Sequence, residues 1–155
     1  MTSLVFLATS AFSADWATFK SPAGFYQIQY PSSWKIQTEG NITNFVKPDG
    51  EGAITISAYH VGSGGFTDLI NIPRRTFATA EVISPFEPLK SGKKNGIKGE
   101  FRTKESDGDR RWLVQAFHSK HVFVFITAND SDGTFQRNRD IFSKVLDSLE
   151  LHDPK

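Results

Sequence analysis

Along most of this chain apolar side chains recur at every second position, the spacing at which a β-strand turns one face to a core. Tyr26, Ile28 and Tyr30 alternate with Gln27 and Gln29, and Pro31 ends the run. Trp34 and Ile36 begin a second alternating stretch. The turn PDGEG, Pro48 to Gly52, leads into a third strand over Ala53 to Val61. The most regular segment sets Ile97, Gly99, Phe101 and Thr103 against Lys98, Glu100, Arg102 and Lys104, a pattern that predicts a strand with one wet, charged face. Ser106 to Asp109 is a hairpin turn, Arg111 to Phe117 returns, HSKH turns again, and Val122 to Thr127 is apolar throughout, as suits a central strand.

Three segments depart from this period. Phe66, Leu69, Ile70 and Phe77 follow the loop GSGG at helical spacing, but Pro73 interrupts them, so a short helix or two broken turns is expected. Val82 to Leu89 carries Pro85 and Pro88, which fits an irregular sheet edge. Phe135, Phe142, Val145, Leu146 and Leu149 share one helical face behind the capping candidates Ser131 and Asp132. The expected architecture is α+β: an antiparallel sheet with one long C-terminal helix packed on it.

The length of 155 residues, with 38% hydrophobic residues, suits one domain with one core, to which fourteen Phe contribute. A net charge of +1 lacks the strongly basic surface of a nucleic-acid coat. The absence of cysteine excludes disulfides, thiol nucleophiles and cysteine-ligated zinc. At the start, Leu4 to Phe12 runs without a charge, and Ala11, Ser13 and Ala14 are small, the pattern of a secretory leader over residues 1–14 ahead of a single domain at 15–155. Met1, Thr2 and Ser3 supply no basic residue to that leader, and a buried N-terminal segment is the competing reading. The apolar run is too short to span a bilayer, and no later segment approaches the roughly 20 residues needed.

The GFYQIQYPSSW opening, the antiparallel meander and the final FSKVLDSLEL helix resemble the PsbP-like family over Phe19 to Leu151. That family shares its fold with the Mog proteins and with bacterial domains of unknown function. The resemblance implies an α/β/α sandwich about an antiparallel sheet, in non-enzymatic proteins that dock on larger partners. PsbP proteins act at photosystem II in the thylakoid lumen, Mog proteins bind a small GTPase, and other relatives are chaperones. The resemblance therefore implies a secreted, periplasmic or lumenal accessory protein, with photosystem II among its possible partners. It carries no functional residue across, because the shared motifs look structural.

Candidate chemistry is sparse. Ser63 in GSGG lacks the first glycine of a nucleophile elbow, since Val61 stands there, and the loop has neither the Lys-Ser/Thr of a phosphate cradle nor the third glycine of a dinucleotide loop. NDSDG, Asn129 to Gly133, has part of a calcium loop, but an EF-hand register would place Ala128 and Arg139 where acidic ligands are required, so a turn capping the last helix is expected. Asn41-Ile42-Thr43 and Asn129-Asp130-Ser131 match glycosylation acceptors. His118 and His121 bracket a turn and could share a metal, although two imidazoles alone make a weak site; His60 and His152 have no visible partner.

Topology adds one constraint. Antiparallel pairing of the last three strands alternates their turns between the sheet's two ends. Lys93, Lys94, His118, Lys120 and His121 collect at one end, and Asp107, Asp109, Asp130 and Asp132 at the other, partly offset by Arg110 and Arg111. Two functions follow: a monomeric, cofactor-free accessory protein docking on a protein partner through the basic end, or a calcium- or manganese-binding module using the four aspartates.

Overall fold

A computed structural model of the chain describes residues 15–62, 69–92 and 94–153. The leader at 1–14, the Ser63 loop, Phe66 and Lys93 lie outside the described residues. Among the described residues, ten strands and two helices follow in the order β1 (Trp16–Lys20), β2 (Tyr26–Pro31), β3 (Lys35–Glu39), β4 (Ile42–Val46), β5 (Ala53–His60), α1 (Asn71–Thr76), β6 (Glu81–Ser91), β7 (Lys94–Glu105), β8 (Gly108–His118), β9 (Val122–Ser131), α2 (Asp132–Asp147) and β10 (Glu150–Leu151). Seven strands form an antiparallel sheet in the order β3-β4-β5-β9-β8-β7-β6. The expected meander is present, with Ile97 opposite Ala116 and Phe117 opposite Val124. The architecture is α+β, with α2 packed on the sheet as the periodicity predicted.

Alternation along the strands sorts the core into two layers. On one face Ile54, Ile56, Phe117, Val124, Ile126 and Ala128 meet Phe135, Phe142, Val145 and Leu146 of α2. On the other, Ile97, Phe101 and Val114 lie under the α1 segment, where the Phe77 ring stacks on Phe101 at 5.1 Å. Pro73 sits in the first turn of α1, where a missing amide costs no helical bond, so the helix forms around it. β6 keeps its two prolines at the sheet edge, with register shifts between Val82 and Ser84 and between Ser84 and Glu87. An edge broken in this way resists pairing with another chain.

A second sheet was not announced by the sequence. β2 is its centre, between β1 and β10. Tyr26 and Ile28 are buried in the main core, and Trp34 meets Phe142 edge-on at 6.1 Å. The aromatic opening stretch is therefore part of the core, and it pairs with β1 and with the distant β10. Ser148 ties the end of α2 to this sheet, accepting from the Gln29 amide at 2.9 Å. The second alternating run is really two strands, β3 and β4, folded back at Gly40 with φ +58°.

Candidate functional site

The β6–β7 turn, the β8–β9 turn and the end of α2 meet at one end of the main sheet, because Asn95 pairs with His118. They enclose an open groove of about 820 Å³, lined by Lys94, His118, Lys120, Asp147, Leu149 and Asp153. Three of the residues assigned to the basic end from the sequence thus share one concave surface. His121 faces elsewhere. Its ring stacks on His60 at 6.1 Å, and His60 lies 6.2 Å from Phe25 on a similar plane. His118 and His121 are therefore divided between groove and stack. Among the described residues, no group of three His, Asp or Glu stands close enough to hold a metal ion.

The groove differs from the sequence picture in two respects. Lys94 is a staple rather than a free docking charge: its Nζ donates to the Leu149 carbonyl at 2.6 Å and lies 5.0 Å from the centre of the Phe117 ring. Leu149 lies just past the end of α2, where the helix carries partial negative charge, so a lysine arriving from β7 is well placed to meet its carbonyl. Burial pushes the Lys94 pKa down, against the opposing pull of Asp147 and Glu150. Gly96 makes this possible, since a Cβ there would collide with the Ala116 carbonyl oxygen and the Phe117 ring. The second difference is charge. Asp147, Glu150 and Asp153 arrive through α2 and the tail, elements that a sorting of hairpin turns never placed at this end.

A further cleft of about 410 Å³ runs between α2 and the β6–β7 pair, over Lys98, Leu113 and Gln115, with Arg139 and Ser143 as the helical wall. The two spaces adjoin at Lys94 and Asp147, which line both. Together they offer cations, hydroxyls and apolar surface along one side of α2, the repertoire of a recognition surface.

The opposite end is closed. Asp130 is fully buried: it accepts from Lys47 Nζ at 2.9 Å, Thr134 Oγ1 at 2.7 Å, Asn138 Nδ2 at 2.8 Å and the Ser131 amide at 2.8 Å. Burial alone would raise its pKa, but the bonds from Lys47 and Thr134 prevail and hold it below the ordinary aspartate value. Ser131, a capping candidate by sequence, makes no side-chain capping bond to the helix; Asp130 takes the Ser131 amide and the Thr134 hydroxyl instead. Gly52 leaves room for this cluster, since a Cβ there would lie 2.7 Å from Asp130 Oδ2. Asp132 belongs to a neighbouring network, accepting from Arg111 Nε at 3.0 Å. Asp107 and Asp109 stay exposed beside the β7–β8 turn. The four aspartates proposed as a cation site are thus divided, and Asp130 has its oxygens committed to protein donors. Asn129, in one of the two glycosylation motifs, accepts from Arg110 at 2.7 Å.

Glu100 is the residue the sequence hid. Its alternation placed it on a wet strand face, yet it is 7% exposed. Arg139 of α2 reaches across the sheet to it at 2.6 and 3.0 Å, and Arg111 approaches at 2.8 Å. Both guanidinium groups also lie over the Phe135 ring, at 5.1 and 5.9 Å. Burial raises the Glu100 pKa, but the two arginines outweigh it and hold the carboxyl below the usual range. The one signal was Arg139 on the helix itself, whose partner strand could not be known in advance.

No protein-family model and no curated protein sequence matches the chain. Its likeness to known proteins lies in the fold. A protein from Bacteroides thetaiotaomicron VPI-5482 superposes with a TM-score of 0.66 at 17% identity, over 88% of this chain and 48% of that one, so this chain spans about half of that protein's length. Cyanobacterial PsbP (CyanoP) from Synechocystis sp. PCC 6803 gives a TM-score of 0.66 at 13% identity over 98% and 99% of the two chains. LpqN of Mycobacterium tuberculosis, involved in cell envelope biogenesis, gives 0.63 at 10% identity over 90% and 91%. The chain therefore has a PsbP-like fold, shared with a protein involved in cell envelope biogenesis. Among the described residues, no helix is long and apolar enough to cross a membrane.

Proposed function

We propose that this protein is a non-enzymatic, monomeric accessory protein, exported with residues 1–14 as its leader, that docks on a larger protein through the groove at the β6–β7 and β8–β9 turns. The observation that carries this reading is the groove itself: about 820 Å³ of open space, built from turns, helix end and tail, with Lys120 exposed at its rim. Loops positioned by a rigid sheet are where binding residues concentrate, because they can vary without disturbing a core. The similarity to PsbP and LpqN supports a setting outside the cytoplasm, periplasmic or lumenal.

Exposed lysines steer association and lose influence with salt, since charges are screened over about 8 Å at physiological ionic strength. The test is a Lys93→Glu, Lys120→Glu double variant compared with wild type in pull-downs from native extract at low and high salt. Lys94 stays native in that variant because it holds Leu149. Loss of the partner at low salt supports docking here; recovery of the same partners at both salts overturns it. A photosystem II partner in a thylakoid lumen is the finer reading from the PsbP resemblance. Photosystem II subunits among the captured proteins support it, and capture of envelope proteins alone replaces it. Mass spectrometry of exported material decides the leader, with a mature start near Ala14 or Asp15 expected and an intact Met1 counting against it.

A further inference from the structure

The chain's last described residues return over the β8–β9 turn. β10 pairs with β2, and the His152 amide donates to the Phe25 carbonyl at 2.7 Å, which carries the tail past the stacked histidines. Asp153 then meets the turn. Its Oδ1 accepts from Ser119 Oγ at 2.6 Å and from the His121 amide at 2.8 Å. The turn is closed by the Ser119 amide on the Val122 carbonyl at 2.9 Å, so its shape does not depend on Asp153. A hydroxyl and a backbone amide of one tight turn converge on one carboxylate oxygen. Asp153 is itself exposed, and its site opens into the groove that Lys120 and His118 line.

Amides and hydroxyls that a turn aims at one point make an anion site, and charge-assisted bonds to such a site are stronger than neutral ones. A scattered set of lysines attracts any anion, whereas this arrangement selects a group the size of a carboxylate. We infer that the β8–β9 turn is a carboxylate receptor which the chain's own Asp153 occupies, and that an aspartate or glutamate side chain of a protein partner takes Asp153's place on docking. This rests on the docking reading above and gives it a chemistry: the partner presents an acidic residue, with its neighbours along the groove. A tethered aspartate competes at an effective concentration in the millimolar range, so the tail lowers apparent affinity until it lifts away.

The experiment uses the full chain carrying Asp153→Ala, isotope-labelled, with an acetylated, amidated peptide copying residues 151–155 as probe. Amide resonances of Ser119, Lys120 and His121 are expected to shift in the variant while those of the sheet interior stay in place. The peptide should return them toward their wild-type positions. Its counterpart with Asn in place of Asp should bind at least about tenfold more weakly, the expected share of a hydrogen bond to a charged group. The wild-type protein, with its receptor filled, should bind the Asp peptide more weakly than the variant. Adding Ser119→Ala to Asp153→Ala should weaken binding while leaving the sheet resonances unchanged. Equal binding of the Asp and Asn peptides, or equal binding by variant and wild type, overturns the receptor. The docking reading is separable: if Lys93→Glu with Lys120→Glu loses the partner but the peptides show no preference, docking stands and the carboxylate receptor falls.

Discussion

The two ends of the main sheet began with similar residues, charged side chains in hairpin turns, and reached opposite fates. At the end holding Asp130, Asp132 and Arg111, each of these charged groups has found an opposite charge, and Asp130 and Glu100 are buried beneath theirs. At the other end, Lys120 is exposed, Lys94 is committed to a carbonyl, and an open groove separates the turns. The difference lies in what crosses above the sheet. The N-terminal half of α2 lies over the first end and brings Thr134, Asn138 and Arg139 down to it; at the second the helix is finishing and gives way to the two-residue β10. Turn charges thus become structural where a helix covers them and remain available where it stops.

Four substitutions test that contrast. Asp130→Ala should have the largest effect, a loss of about 3–5 kcal/mol in denaturant unfolding, because it strands the Thr134, Asn138 and Ser131 donors and leaves the Lys47 ammonium with the half-exposed Asp49 as its partner. A loss below 1 kcal/mol would show the closed end to be as tolerant as the open one.

Glu100→Gln should cost about 2 kcal/mol through weakened bonds to Arg111 and Arg139. It should also change the pH profile. The Glu100 and Asp130 carboxyls have folded pKa values below their ordinary 4.5 and 3.8, so the unfolded chain binds more protons across that range. Their contribution is complete above the ordinary values and declines as pH falls through them toward the lower folded ones. Wild type should lose stability steeply on acidification in that window, and Glu100→Gln less steeply. Parallel profiles for the two proteins would remove Glu100 from the account.

Lys94→Met keeps the packing against Phe117 but orphans the Leu149 carbonyl, for an expected loss of about 1–2 kcal/mol by the same unfolding measurement. A neutral result would return Lys94 to the set of free docking charges. Lys120→Glu should be the smallest, within about 0.5 kcal/mol of wild type in stability. Its effect should fall on partner association instead, as a slower on-rate that converges with wild type at high salt.

Much of the fold was legible because strand alternation is a local property. The β7, β8 and β9 residues and the apolar face of α2 each announce themselves within a dozen positions. β1 and β10 did not. Each is short and gains its place only by pairing with β2, and for β10 that partner lies more than a hundred residues away in sequence. The candidate groove was half legible: Lys94, His118 and Lys120 could be placed at one end from turn alternation alone. Asp147, Glu150 and Asp153 could not, since their position depends on where α2 ends and how the tail returns.

By itself, then, the sequence determined the class of fold, the absence of thiol chemistry and the segregation of turn charges, all of which follow from residue identity and near-neighbour spacing. Tertiary structure decided which of those charges remain exposed. Glu100 and Lys98 stand two residues apart on the same strand face, yet Glu100 is buried under Arg139 and Lys98 stays exposed. A strand's period specifies to which side a carboxylate points. Whether water or a guanidinium meets it there depends on a helix packed from elsewhere in the chain, and so on burial, which is a property of the assembled fold.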